Sequence, residues 1–175
     1  MKLTQFLSDL GSKKGAPGGG AAAAVTGALG AALVEMTGRL NDARVQSSSG
    51  AAKKSEALRI QLHSLIARDA RAFLHIQKIY KIRKSKPAQW QAALRNGAAV
   101  PLKICQICAD AAVLAKKEKS RTSAWLESDR LEALILLGAA FRAAELNVEI
   151  NLKEMWDVRL IKKHRDALKK WRKKL

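Results

Sequence analysis

The chain has 175 residues, 48% hydrophobic and 27% charged, which is long enough for one substantial core and short for two. Lysine and arginine number 33 against 15 acids, a net charge of +18 that favours anionic partners. Eleven glycines and three prolines without a repeat exclude fibrous and low-complexity chains, while two cysteines and three histidines exclude a disulfide framework or a four-ligand zinc site.

Reduced cysteines point to a cytoplasmic protein. The uncharged run from Gly18 to Val34 is mainly Ala and Gly, and it falls short of the roughly 20 strongly apolar residues of a spanning helix. It follows Asp9 and a Pro-Gly-Gly-Gly turn, which is too late for a secretory signal. A soluble chain without a transmembrane segment is expected.

In chain order, Leu3, Phe6, Leu7 and Leu10 mark a short amphipathic start that closes at Gly11. Turn residues make Gly15 to Gly20 a loop. A helix is predicted from Ala21 to about Leu40, with Gly20, Ala24, Gly27 and Ala31 on one face where a second backbone can approach closely. Asn41 to Gly50 reads as a loop. A long helix follows from Ala51 to Ile82, whose seam of Leu58, Leu62, Leu65, Ala72, Ile76 and Ile79 is interrupted by Asp69.

The basic cluster Lys81 to Lys86 and Pro87 end that helix. Another runs from Ala88 to about Lys117 with Pro101 as a predicted kink. A polar connection from Lys116 to Glu127 leads to Ser128-Asp129, whose side chains suit the free amides of a helix start. The fourth core helix then reaches Leu146. Asn147 to Asn151 reads as extended, with Asn151 capping a basic last helix over 152–175. The expected architecture is a single all-α domain over residues 1–175, an antiparallel bundle of about five long helices.

Several of these pieces resemble, in order and spacing, the cyclodeaminase/cyclohydrolase family, found at the C-terminal end of formiminotransferase-cyclodeaminase and as a free-standing bacterial protein. They are Phe6-Leu7, Pro17-Gly18-Gly19-Gly20, Gly27 to Leu33, Asp69 with Ala72-Phe73, Ala99 to Leu102, Ser128-Asp129 and Asn147 to Leu152. The resemblance covers nearly the whole chain. It implies a dimer that acts on a one-carbon unit of tetrahydrofolate without a metal or redox cofactor. One direction closes 5-formimidoyltetrahydrofolate to 5,10-methenyltetrahydrofolate with loss of ammonia; the other opens the methenyl ring with water. Three segments depart from the family pattern. Asn41 to Gln46 replaces a Gly-Lys-Lys and a Tyr, Thr122 to Trp125 replaces a Gly-Asn-x-Asn, and Arg83 replaces a Pro. These are expected to fall in loops that line a ligand site.

Asp69 is the first candidate for catalysis, because a carboxylate in an apolar seam must be hydrogen-bonded, paired or protonated, and such sites raise its pKa toward the useful range. An ion pair with a helix Arg or Lys is the competing reading. Asp129 is the second; helix capping by Ser128 and Asp129 explains it equally well, while the resemblance puts both at the ligand site. Pro17, Gly18, Gly19 and Gly20 offer backbone amides at a helix head, or a tight turn alone. Asn147 and Asn151 suit the donors and acceptors of a pterin, or a backbone break. Cys105-x-x-Cys108 reads as core. The basic tail from Arg159 to Leu175 would dock on the bundle or attract polyglutamylated folate, nucleic-acid phosphates or an anionic membrane. The competing function is a catalytically degenerate anion- or nucleic-acid-binding protein; nucleic acid is the less favoured partner because no aromatic platform or known motif supports it.

Overall fold

The computed structural model describes residues 2–175, and among them all regular structure is helical. Helix α1 (Leu3–Leu10) buries Phe6 against the bundle and stops at Gly11. Four long helices follow: α2 (Gly19–Val45), α3 (Ala51–Tyr80), α4 (Pro87–Lys117) and α5 (Glu127–Leu152). Two 3₁₀ turns, Glu118–Arg121 and Ala124–Leu126, join α4 to α5, and α6 (Val158–Arg172) ends the chain. Short connections make sequential helices antiparallel, and α2, α3, α4 and α5 pack in a closed ring with α2 and α4 also touching across it.

That diagonal contact depends on the small-residue face. Gly20, Ala24, Gly27 and Ala31 are all buried, and a Cβ on Gly27 would sit 2.9 Å from Cys108 Sγ of α4. The core is one continuous cluster whose largest fully buried members include Leu62, Leu65, Ile104, Ile107, Leu137 and Phe141. Burial of each such side chain stabilises by about 1.5–3 kcal/mol. Pro101 lies inside α4 without ending it. Two stretches, Gly19–Val45 and Pro87–Arg121, are long and apolar enough to cross a membrane. In this fold α2 gives one face to the core, and α4 buries residues along its whole length.

Four expectations are corrected. Asn41 to Val45 is helical because Asn41, fully buried, donates from Nδ2 to Glu118 Oε2 and Thr122 Oγ1, both at 3.2 Å. Asn147 to Asn151 is helical too: each Asn donates its side-chain amide to the carbonyl four residues back, Ala143 O and Asn147 O, both at 2.8 Å. Neither Ser128 nor Asp129 caps α5, which starts at Glu127 without a side-chain cap; Asp129 sits in the first turn, where the helix dipole favours an acid. The last helix starts at Val158, not Leu152, and its cap is Asp157, which accepts from the Leu160 amide.

Helix α6 lies on the flank of the four-helix ring. Leu168 is buried, Leu160, Ile161 and Trp171 pack on the core, Arg165–Glu149 and Arg172–Glu145 pairs tie its basic face to α5, and Lys174, just past its end, pairs with Asp110 of α4. The docking reading of the tail is the one the structure shows.

Candidate functional site

Helix direction places the site. α2 and α4 begin, and α3 and α5 end, at the same end of the bundle, and there a cavity of about 390 Å³ opens between them. Gly18, Gly19, Gly20, Asp69, Asn147 and Asn151 all line it. Pro17 precedes the turn and stays outside the lining; its peptide with Ala16 is cis. Ser128 and Asp129 are at the other end of α5, about 27 Å from Asn147 at 1.5 Å per residue, so a single chain does not bring them to this cavity.

Asp69 makes no ion pair among the described residues. Its carboxyl lies over the head of α2, against Gly20, and accepts from the Ala21 amide. Burial pushes its pKa above the ordinary carboxylate range, and the amide bond offsets that only in part. Gly20 is what admits it: a Cβ there would be 2.1 Å from Asp69 Oδ1. The glycine turn thus acts first as a seat for the carboxyl.

Each asparagine ties one N–H of its amide back to α5, which leaves its carbonyl and a second N–H for a ligand. Asn147 lies beside Gly19, and Asn151 Oδ1 stands 2.7 Å from the Cβ position of Gly97, a glycine that makes room for it. Two amide groups and a carboxyl together suit a ligand edge that carries both N–H donors and acceptors.

The sequence reading missed the aromatic wall. Tyr80 and Trp90 meet edge to face with centroids 5.8 Å apart, and both line the cavity with Ile76, Leu94 and Pro101. The available signal was their placement on either side of the Pro87 break, where an antiparallel turn brings them together. Cys105 and Cys108 are fully buried thiols; burial pushes Cys108 up to about 12 and Cys105 further up, so neither is a nucleophile. No three His, Cys, Asp or Glu among the described residues are grouped to hold a metal.

Two of the three departures from the family pattern are far from the cavity and touch each other. Beyond the Asn41 bonds, Arg121 donates to Asp42 Oδ1 at 2.8 Å and to the Ser47 carbonyl, and Arg44 donates to the Arg121 carbonyl. Glu118 is 2% exposed beneath them. The third departure, Arg83, stands at the cavity end.

The formiminotransferase-cyclodeaminase family profile matches residues 2–170. The chain belongs to this family. Among cyclodeaminase-family relatives, it is 34% identical over 168 residues to a methenyltetrahydrofolate cyclohydrolase of Methylorubrum extorquens, covering 89% of this chain and 81% of that one. It is 32% identical over 168 residues to the mouse formimidoyltransferase-cyclodeaminase, covering 89% of this chain but only 31% of the mouse protein. A crystal structure of formiminotetrahydrofolate cyclodeaminase from Thermotoga maritima superposes with a TM-score of 0.90 at 29% identity, covering 99% of this chain and 89% of that one.

Proposed function

We propose that this chain is a folate one-carbon enzyme, a formimidoyltetrahydrofolate cyclodeaminase or methenyltetrahydrofolate cyclohydrolase, with Asp69 as its proton-transfer group. The observation that carries this reading is a carboxyl of raised pKa seated over Gly20 in a cavity lined by two asparagine amides. A pterin presents a 2-amino group, ring N–H donors and a ring carbonyl, which amide side chains complement.

Both reactions pass through a tetrahedral carbon bonded to N5, N10 and a third atom. In deamination N10 attacks the formimidoyl carbon, loses its proton, and the amine leaves as ammonia once protonated. In hydrolysis water attacks the methenyl carbon, loses a proton, and N5 departs protonated. One carboxylate that takes the first proton and returns it to the leaving nitrogen serves either direction. The test is the rise of methenyltetrahydrofolate absorbance from the formimidoyl substrate, or its decay in water above the uncatalysed rate; no turnover in either assay by folded protein would overturn the assignment.

A homodimer belongs to the same proposal. The outer face of α2 exposes Leu29, Met36 and Leu40, and that of its packed neighbour α5 exposes Ile135, Leu146 and Ile150. Exposed apolar side chains on two packed helices call for cover. At Gly138, midway along α5, a Cβ would meet nothing within 4 Å, which permits close crossing of two helices. A two-fold perpendicular to α5 at that point would set the two α5 helices antiparallel. Asp129 and Asn147 lie equally far on either side of Gly138, so Asp129 of one protomer would come level with Asn147 of the other. Asp129 and Asn147 stand half a turn around α5 from Gly138, so this contact alone does not carry Asp129 into the partner's cavity. Ile135→Glu is expected to give a monomer in sedimentation; an unchanged dimer would remove this face from the interface. The free, buried thiols suit a cytoplasmic home.

A further inference from the structure

Beside the main cavity is a second hollow of about 340 Å³, and Trp90 and Glu154 line both. The remaining walls of the hollow include Arg83, Lys84, Lys153 and the exposed Trp156. Three cations face one acid. Among the described residues none of the three is in an ion pair.

The hollow is held in place from both sides. The Arg83 guanidinium lies over the Tyr80 ring with its carbon 3.6 Å from the centroid, and Nη1 donates to the Tyr80 carbonyl at 2.9 Å. That fixes the plane of the group and leaves donors free for a two-pronged grip on a carboxylate. Opposite, the buried Gln91 donates from Nε2 to the Glu154 carbonyl at 2.9 Å and accepts from the Trp156 amide at 2.8 Å, which anchors the segment that carries Lys153. Tyr80 and Trp90 form an aromatic step between the two spaces.

We propose that Arg83, with Lys84 and Lys153, forms a carboxylate-binding notch that holds the glutamate end of a folate whose pterin occupies the Asp69 cavity. The inference rests on the folate reading above and makes Arg83 a specificity-determining residue. A folate carries its pterin and its carboxylates at opposite ends of a flat aminobenzoyl spacer, and the cavity, aromatic step and cationic notch follow the same order.

The test is equilibrium binding of 5-formyltetrahydrofolate and of the same compound without its glutamate, 5-formyltetrahydropteroate, to the full chain and to Arg83→Gln. The full chain should bind the glutamate form about 10-fold or more tightly than the pteroate, a preference that weakens with salt. In R83Q, with an unchanged melting curve, the preference should fall to about twofold or less through loss of affinity for the glutamate form. Equal affinity of the unaltered chain for both compounds, or a preference that survives in R83Q, overturns the notch and leaves the folate reading standing. Binding of neither compound overturns the folate reading itself, and the notch with it.

Discussion

Asp69→Asn should lower turnover by about 10²- to 10⁴-fold, the usual contribution of a positioned proton-transfer group, and leave the fold intact. The side-chain amide can still accept from the Ala21 N–H, so the head of α2 keeps its partner. Stability at neutral pH should hold or rise. Burial makes the folded protein hold the Asp69 proton more tightly than the unfolded chain does, so this group disfavours folding as pH climbs past the ordinary carboxylate range, and Asn removes that cost. Because the carboxylate takes the first proton in either reaction, the rate should fall as pH drops through the raised pKa. That acid limb should vanish from whatever residual rate the variant keeps. Steady-state rates across pH, with a melting curve, measure all of this; unimpaired turnover would take Asp69 out of the mechanism.

Gly20→Ala is expected to do comparable damage without touching a reactive group. The new methyl would stand 2.1 Å from Asp69 Oδ1 and 2.5 Å from its Cγ, so either the carboxyl swings out of its seat or the first turn of α2 retreats from α3. Overpacking of this kind costs about 1–3 kcal/mol of stability, read from denaturant midpoints. In rate, the two substitutions should be strongly non-additive, since each removes the same placed carboxyl. The double variant G20A/D69N should turn over about as slowly as D69N alone, within roughly threefold. Fully multiplicative losses would mean that the glycine acts on substrate directly.

The helices were legible where one interaction dominates over many residues. The seam of α3 and the small-residue face of α2 repeat over several turns, and the structure keeps both. Reading failed where a single side chain reverses its local preference. Asn41, Asn147 and Asn151 favour breaks by propensity, yet each lies inside a helix because its amide finds an acceptor: Asn41 on a residue 77 positions away, the others on the preceding turn. Asp69 stood out as a carboxyl in an apolar seam, but the group that receives it, the Ala21 amide, lies on a different helix and has no side-chain signature. The Tyr80 and Trp90 wall was hidden for a similar reason, as two residues ten apart become neighbours only when Pro87 turns the chain.

The cluster at the far end from the cavity bears on how this sequence can change. Asn41 and Asp42 from the end of α2 interlock with Glu118, Arg121 and Thr122 from the turn after α4, while Asn41 Oδ1 and Arg121 Nε remain buried without a hydrogen-bond partner. The two segments are therefore epistatic. Replacing Asn41 alone would strip Glu118 of its amide donor, and replacing Thr122 alone would strip Asn41 of a hydroxyl acceptor, so substitutions in the two segments should be non-additive.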